Sequence, residues 1–134
     1  MPTTSGAPVK TSYVNAVALF FLTLLAHAAE PALPAQFKTS TVQTADGATI
    51  HVRSGGAGPA VVLIHGFGDT GDMWGPLAAQ LARRHTVIVP DLRGMGLSSK
   101  PPAGYDKKSQ AADIRAVVDS LGQDRTAVVG QDRK

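Results

Sequence analysis

Three short apolar runs, separated by longer segments of helical pattern, constrain the fold of this chain more than any other feature. Each run has the length of a strand and is nearly continuously apolar, which is typical of strands buried on both faces of a parallel sheet. Strand, helix, strand, helix, strand in this order predicts an α/β sheet with right-handed crossovers. The runs are residues 61–64 (VVLI), 86–89 (TVIV) and 125–129 (RTAVV).

The segments around these runs predict the remaining elements. Residues 39–44 and 49–53 are rich in β-branched residues and flank Asp46-Gly47, which predicts a β-hairpin. Residues 74–84 predict a helix with Asp72 as its N-cap. Residues 107–121 predict a second helix, capped by Asp106. Its apolar stripe consists of Ala111, Ile114, Val118 and Leu121.

The first residues have the pattern of a secretory signal peptide. A polar start is followed by an apolar run, residues 14–26, and by the small-residue exit Ala26-His27-Ala28. We expect cleavage after Ala28 and export to a periplasm or beyond. An uncleaved anchor is the alternative, although the run is shorter than the about 20 residues that span a bilayer. The expected division is a signal peptide (1–28), a linker (29–36) and one folded domain (37–134).

Charge and composition exclude several classes of function. The net charge of +3 comes from scattered basic residues without a long basic run, so we expect no nucleic-acid partner and no membrane contact beyond the signal segment. The chain has no cysteine, which excludes disulfides and thiolate metal sites. A dinucleotide fingerprint fails because Ser99 stands where its third glycine belongs. We expect no metal and no cofactor, and the oligomeric state stays open.

A candidate motif follows each apolar run, at the sheet edge where ligands of α/β proteins bind. His65-Gly66-Phe67 can turn backbone N–H groups towards an oxyanion, or it is a plain turn with a core histidine. Asp91 and Arg93 lie in a loop whose backbone groups we expect them to tie together. Gly130-Gln131-Asp132 has the start of a nucleophile elbow, although four polar residues at the end of a sequence also describe a solvated tail.

Taken together, the motifs resemble α/β-hydrolases of the epoxide hydrolase and haloacetate or haloalkane dehalogenase group. The resemblance runs from Phe37 to Asp132 and is carried by VVLIHGFGDTGDMW, by VIVPDLRGMGLSSKPPAGYDKKSQAADIRAVVDSLG and by RTAVVGQD. It implies the N-terminal part of an α/β-hydrolase sheet, a β-hairpin followed by a parallel β-α-β-α-β unit, truncated at the nucleophile elbow.

The resemblance also implies roles for single residues. Asp132 matches the nucleophile that attacks an epoxide carbon or a carbon bearing halogen, giving an alkyl ester that water hydrolyses. The backbone N–H groups of Phe67 and Arg133 match the oxyanion hole, and His65 and Gly66 match structural positions beside it. Two residues depart from the family pattern: Gln131 replaces a histidine and Lys134 replaces a glycine.

The acid, the general-base histidine and the cap that follow in this family have no counterpart in the sequence. We therefore expect a truncated, inactive fragment of an exported epoxide hydrolase whose family acts on small organic epoxides or halogenated compounds. A dehalogenase-like hydrolase and a non-catalytic secreted remnant are the alternatives, while Asp132 argues against a serine esterase. An acid and a histidine encoded beyond codon 134 would favour either enzyme over the remnant.

Overall fold

Residues 33–131 are described by a computed structural model of the chain. The predicted signal peptide and Asp132, Arg133 and Lys134 lie outside the described residues. None of the helices within 33–131 has the length and apolar character needed to cross a membrane. The elements are β1 (Lys38–Gln43), β2 (Thr49–Gly55), β3 (Ala60–Ile64), a 3₁₀ turn (Gly71–Trp74), α1 (Gly75–Leu81), β4 (Thr86–Pro90), α2 (Lys107–Ser120) and β5 (Thr126–Gly130).

The strands form one mixed sheet in the order β1-β2-β4-β3-β5. β3 lies parallel to both β4 and β5, whereas β1 and β2 form an antiparallel hairpin that joins the sheet beside β4. The predicted hairpin and the parallel β-α-β-α-β unit are therefore confirmed. Gly47 closes the hairpin turn with φ +86°, a conformation that costs a residue with a Cβ about 1–2 kcal/mol.

The core consists of two apolar layers, one on each face of the central strands. Side chains alternate along β3: Val62 packs in the layer with Val117 of α2, and Val61 and Leu63 pack in the layer with Ala78 of α1. The alternation explains why the sequence of β3 is continuously apolar. Burial of apolar surface in these two layers stabilises the sheet by about 25 cal/mol per Å².

The first helix differs from its prediction. The segment begins with the 3₁₀ turn, and α1 ends at Leu81, three residues before the predicted end. Asp72 does not cap a helix; its carboxylate pairs with Arg53, while Thr70 accepts a hydrogen bond from the Asp72 N–H. Pro76 explains the later start of α1, because proline lacks an N–H and is favoured in the first turn of a helix.

The second helix begins as predicted, with the Asp106 carboxylate accepting a hydrogen bond from the Ser109 N–H (3.0 Å). The buried face is centred on Val117 and Asp113, with Ile114 and Val118 at its margin. Ala111 is exposed. Three residues of the predicted stripe, Ile114, Val118 and Leu121, therefore pack against the core, and Ala111 does not.

The prediction that the third apolar run is buried was wrong. β5 lies at the edge of the sheet beside β3, and its Val128 side chain is 61% exposed. Neither helix within the described residues shields this strand, because α1 and α2 pack over the strands nearer the centre. An apolar run therefore identified the strand correctly and its burial incorrectly.

Candidate active site

The parallel pairing of β3 and β5 brings two of the three motifs together. Ile64 and Gly130 are partners in the register, and the Gln131 N–H donates a hydrogen bond to the Ile64 carbonyl oxygen (3.1 Å). His65-Gly66-Phe67 therefore begins beside Gln131, the residue that precedes Asp132. This edge is formed by the carboxyl ends of parallel strands, where open α/β sheets bind their ligands.

A cleft of about 410 Å³ opens at this edge. Its volume is within the range of small-molecule sites, about 300–1,000 Å³. The wall is mostly apolar and combines the ends of β3 and β5 with the loop after β4 and the first turns of α2. The lining residues are Ile64, His65, Gly66, Phe67, Leu92, Met95, Lys107, Gln110, Ala111, Ile114, Gly130 and Gln131.

Phe67 combines an unused backbone donor with an exposed ring. Within residues 33–131 its N–H has no hydrogen-bond acceptor, whereas the turn around it is closed by the Asp69 N–H donating to the Gly66 carbonyl oxygen (3.2 Å). The side chain is 85% exposed. A backbone N–H that is held by a tight turn and points to no protein acceptor can stabilise a developing oxyanion.

His65 is buried and uses both ring nitrogens within the protein. The Leu92 N–H donates to Nε2 (2.9 Å), so Nε2 is the acceptor. Nδ1 lies 2.8 Å from the Gly66 carbonyl oxygen, to which it must donate. These two bonds require the neutral tautomer with its proton on Nδ1. In this arrangement His65 joins the end of β3 to the loop after β4 and has no nitrogen left to accept a proton from water.

Asp91 organises the backbone behind the cleft. Its carboxylate accepts hydrogen bonds from the Gly71 N–H (2.8 Å) and the Leu97 N–H (3.0 Å), and Arg53 lies 3.2 Å from it. Burial would raise the pKa of Asp91, but the two backbone hydrogen bonds and the charge of Arg53 outweigh it, so the pKa is lowered. The prediction that Asp91 ties backbone groups together is confirmed.

The loop after β4 passes so close to Asp91 that position 96 must be glycine. A Cβ on Gly96 would lie 2.2 Å from an oxygen of the Asp91 carboxylate, and the residue has φ +51°. Both the space and the backbone conformation therefore require glycine here.

Arg93 makes a different set of contacts from those predicted. Its side chain is 1% exposed and donates to both oxygens of Asp113 (2.6 Å each), which is itself 2% exposed. It also donates to both oxygens of Asp46 in the hairpin turn (2.8 and 3.2 Å). The hydrogen bond from Arg93 is the largest cause that lowers the pKa of Asp46. Arg93 therefore joins the hairpin to α2 through carboxylates, not through backbone groups.

Sequence reasoning missed two features of the site. The first is the buried ion pair of Asp113. Asp113 precedes Val117 by one helical turn, and a carboxylate on the apolar face of a helix was the available signal that it has a buried partner. Lys107 and Gln110 line the cleft, but no residue pattern indicated which way the start of α2 would face.

Residues 59–133 match the sequence profile of the family described as alpha/beta hydrolase fold. The match covers more than half of the sequence and includes the three motifs at the strand ends. The chain belongs to the alpha/beta hydrolase fold family.

The named relatives of the chain include epoxide hydrolases and a dehalogenase. It is 41% identical over 87 residues to the soluble epoxide hydrolase of Corynebacterium sp. (strain C12), covering 65% of this chain and 30% of the relative. It is 43% identical over 90 residues to the fluoroacetate dehalogenase of Burkholderia sp., covering 63% and 30%.

A solved structure of an epoxide hydrolase from an endophytic Streptomyces matches with a TM-score of 0.70 at 35% identity, covering 74% of this chain and 30% of that one. The resemblance to epoxide hydrolases and dehalogenases is therefore confirmed. The chain spans 30% of the length of each of these three proteins.

Proposed function

We propose that this chain carries the nucleophile and the oxyanion hole of a hydrolase of the epoxide hydrolase type. One observation carries the proposal: the Gln131 N–H donates to the Ile64 carbonyl oxygen, which holds Gln131 in the cleft that Phe67 also lines, and within residues 33–131 the Phe67 N–H has no acceptor. The similarity to the soluble epoxide hydrolase of Corynebacterium supports the choice of chemistry.

The proposed reaction has two steps. A carboxylate oxygen of Asp132 attacks an epoxide carbon, the ring C–O bond breaks, and the resulting alkoxide takes a proton from solvent water, leaving a hydroxyalkyl ester on the enzyme. Water then attacks the ester carbonyl, and the N–H groups of Phe67 and Arg133 stabilise the oxyanion that forms. Collapse of this intermediate releases the diol and restores the carboxylate, with the net addition of one water.

His65 is not the base in this scheme. Its Nε2 already accepts from the Leu92 N–H and its Nδ1 donates to Gly66, so accepting a proton would cost a buried hydrogen bond. We assign it to holding the Gly66-Phe67 turn against the loop after β4.

Dehalogenation is the second candidate, because the fluoroacetate dehalogenase of Burkholderia is also similar to this chain. The same carboxylate would attack a carbon bearing halogen, and the halide would leave with the bonding electrons. Both reactions pass through an Asp132 ester, so the electrophile that forms the ester distinguishes them.

The ester provides the test. The 134-residue chain is incubated with styrene oxide or with bromoacetate and digested with trypsin. The masses of its peptides are then measured by mass spectrometry. Peptide 126–133 (TAVVGQDR) contains Asp132 as its single carboxylate side chain, and peptide 116–125 (AVVDSLGQDR) contains two exposed aspartates as an internal control. We expect an adduct on 126–133 that mild base removes, absent in Asp132→Asn. Equal labelling of both peptides, or no adduct with either reagent, would refute the proposal.

We also propose export of the chain after cleavage behind Ala28, on the basis of the small-residue pattern that follows the apolar run. N-terminal sequencing of the protein recovered from its native host should begin at Ala29. A mature protein that begins at Met1 would contradict this.

A further inference from the structure

Lys107 is the one ionised side chain among the described residues that line the cleft. The other polar groups of this wall are the amides of Gln110 and Gln131 and the neutral ring of His65. The remaining lining residues are apolar or glycine. The described part of the cleft therefore combines an apolar wall with a single positive charge.

Neither sequence neighbour of Lys107 lines the same cleft or pairs with its ammonium group. Asp106 and Lys108 line a different cavity, of about 460 Å³, on the side of α2 that faces the hairpin. The Asp106 carboxylate is engaged by the N–H (3.0 Å) and the hydroxyl (2.6 Å) of Ser109. Within residues 33–131 the Lys107 ammonium has no ion pair or hydrogen bond. The described lining of the cleft therefore carries one positive charge and no negative charge, beside apolar surface.

We propose that Lys107 makes this cleft selective for substrates that carry a carboxylate on an apolar body. This inference rests on the proposed function and narrows it: the electrophilic carbon would belong to an organic acid, not to a neutral epoxide. The apolar wall formed by Ile64, Leu92 and Ile114 buries the body of the molecule, and the carboxylate stays near the exposed ammonium at the mouth. A positive charge at a cleft also raises the local concentration of anionic ligands.

The test uses an unreactive pair of probes that differ in charge alone. 3-Phenylpropanoate and 3-phenylpropanamide have nearly the same shape, and neither has a carbon that Asp132 could attack. Binding is followed by NMR through the backbone amides of Ile64, Gly66 and Gln131. We expect the carboxylate to bind about three- to fivefold more tightly than the amide, the size typical of a solvent-exposed ion pair.

Two adjacent lysines provide a matched comparison. Lys107→Met should abolish the preference for the carboxylate and leave amide binding unchanged, whereas Lys108→Met removes an equal charge from the other cavity and should retain the preference. Raising the salt concentration from about 0.01 M to about 1 M should reduce the preference in the wild type, because exposed charges are screened. A preference that survives in Lys107→Met, equal binding of the two probes by the wild type, or no binding of either probe would overturn the inference.

The same probes separate this inference from the proposed reaction. Asp132→Asn removes the proposed nucleophile and should retain or increase the preference for the carboxylate, because one negative charge is lost. An absent adduct with a retained preference refutes the reaction and leaves Lys107 as a ligand-binding residue. If a specific adduct forms on peptide 126–133 but the wild type shows no preference for the carboxylate probe, the proposed reaction stands and only the role of Lys107 is refuted.

Discussion

Asp113→Asn tests whether the ion pair under α2 holds the domain together. The substitution preserves the shape of the side chain and removes the negative charge that faces Arg93, whose guanidinium is 1% exposed. Removing one partner of a buried ion pair costs about 3–5 kcal/mol, because the other charge stays buried and unpaired. Asp46 still accepts from Arg93, so we expect the lower end, about 3 kcal/mol.

The assay is urea unfolding followed by circular dichroism, with the free energy of unfolding extrapolated to water. Small domains have about 5–15 kcal/mol in total, so the loss is a large part of the stability. Asp119→Asn is the matched control on the same helix, since its partner Arg115 is exposed one turn away and such pairs contribute about 0.3–0.5 kcal/mol.

The reasoning would be refuted if the two variants lost the same stability. That result would mean that Arg93 is compensated by Asp46 and by water, and that the carboxylate on the buried face of α2 is not required for the docking of the helix. A change in the slope of the urea transition would instead indicate a looser native state.

Three further predictions concern other parts of the fold. Gly96→Ala forces a Cβ against the Asp91 carboxylate and should lower the free energy of unfolding by more than about 2 kcal/mol. In the control Gly122→Ala the new Cβ meets open space, so we expect only the cost of the positive φ, about 1–2 kcal/mol. The pKa of Asp91 is lowered in the folded state, so its contribution to the free energy of unfolding is present above the unfolded pKa of about 3.9 and is lost as the pH falls below that value. Urea midpoints measured at descending pH should therefore fall less steeply in Asp91→Asn than in the wild type. Val62→Ala removes a buried side chain and should cost about 2 kcal/mol, whereas Val128→Ala on exposed β5 should change unfolding by less than about 0.5 kcal/mol.

Each of these predictions has an outcome that contradicts it. Equal losses in the two glycine variants would mean that the contact with Asp91 is not restrictive. Parallel pH profiles in the wild type and Asp91→Asn would assign acid unfolding to other carboxylates. A large loss in Val128→Ala would show that β5 is covered in solution.

The sequence predicted the parts of the fold whose signals are local. The hairpin followed from Asp46-Gly47, β3 and β4 followed from continuous apolar runs, and the start of α2 followed from Asp106. Each of these depends on backbone geometry or on capping within a few residues, so neighbouring residues suffice to specify it.

Features that depend on distant residues were missed. The exposure of β5 is set by which elements pack over it, and an apolar run does not contain that information. The partners of Arg93 lie 47 and 20 residues away in the sequence. Likewise, the direction in which Lys107 faces depends on how α2 is rotated against the sheet, which Val117 and Asp113 determine together.

The convergence of chain segments on Asp91 also determines how the domain opens. One carboxylate receives the N–H of Gly71, 20 residues earlier in the sequence, the N–H of Leu97, six residues later, and Arg53 from β2. Displacing the Asp91 carboxylate breaks these three contacts at once, together with the approach of His51 Nδ1 (3.3 Å), so these segments should open as one cooperative unit. In amide hydrogen exchange, Gly71 and Leu97 should therefore show the same opening free energy and the same sensitivity to denaturant, although they belong to different loops.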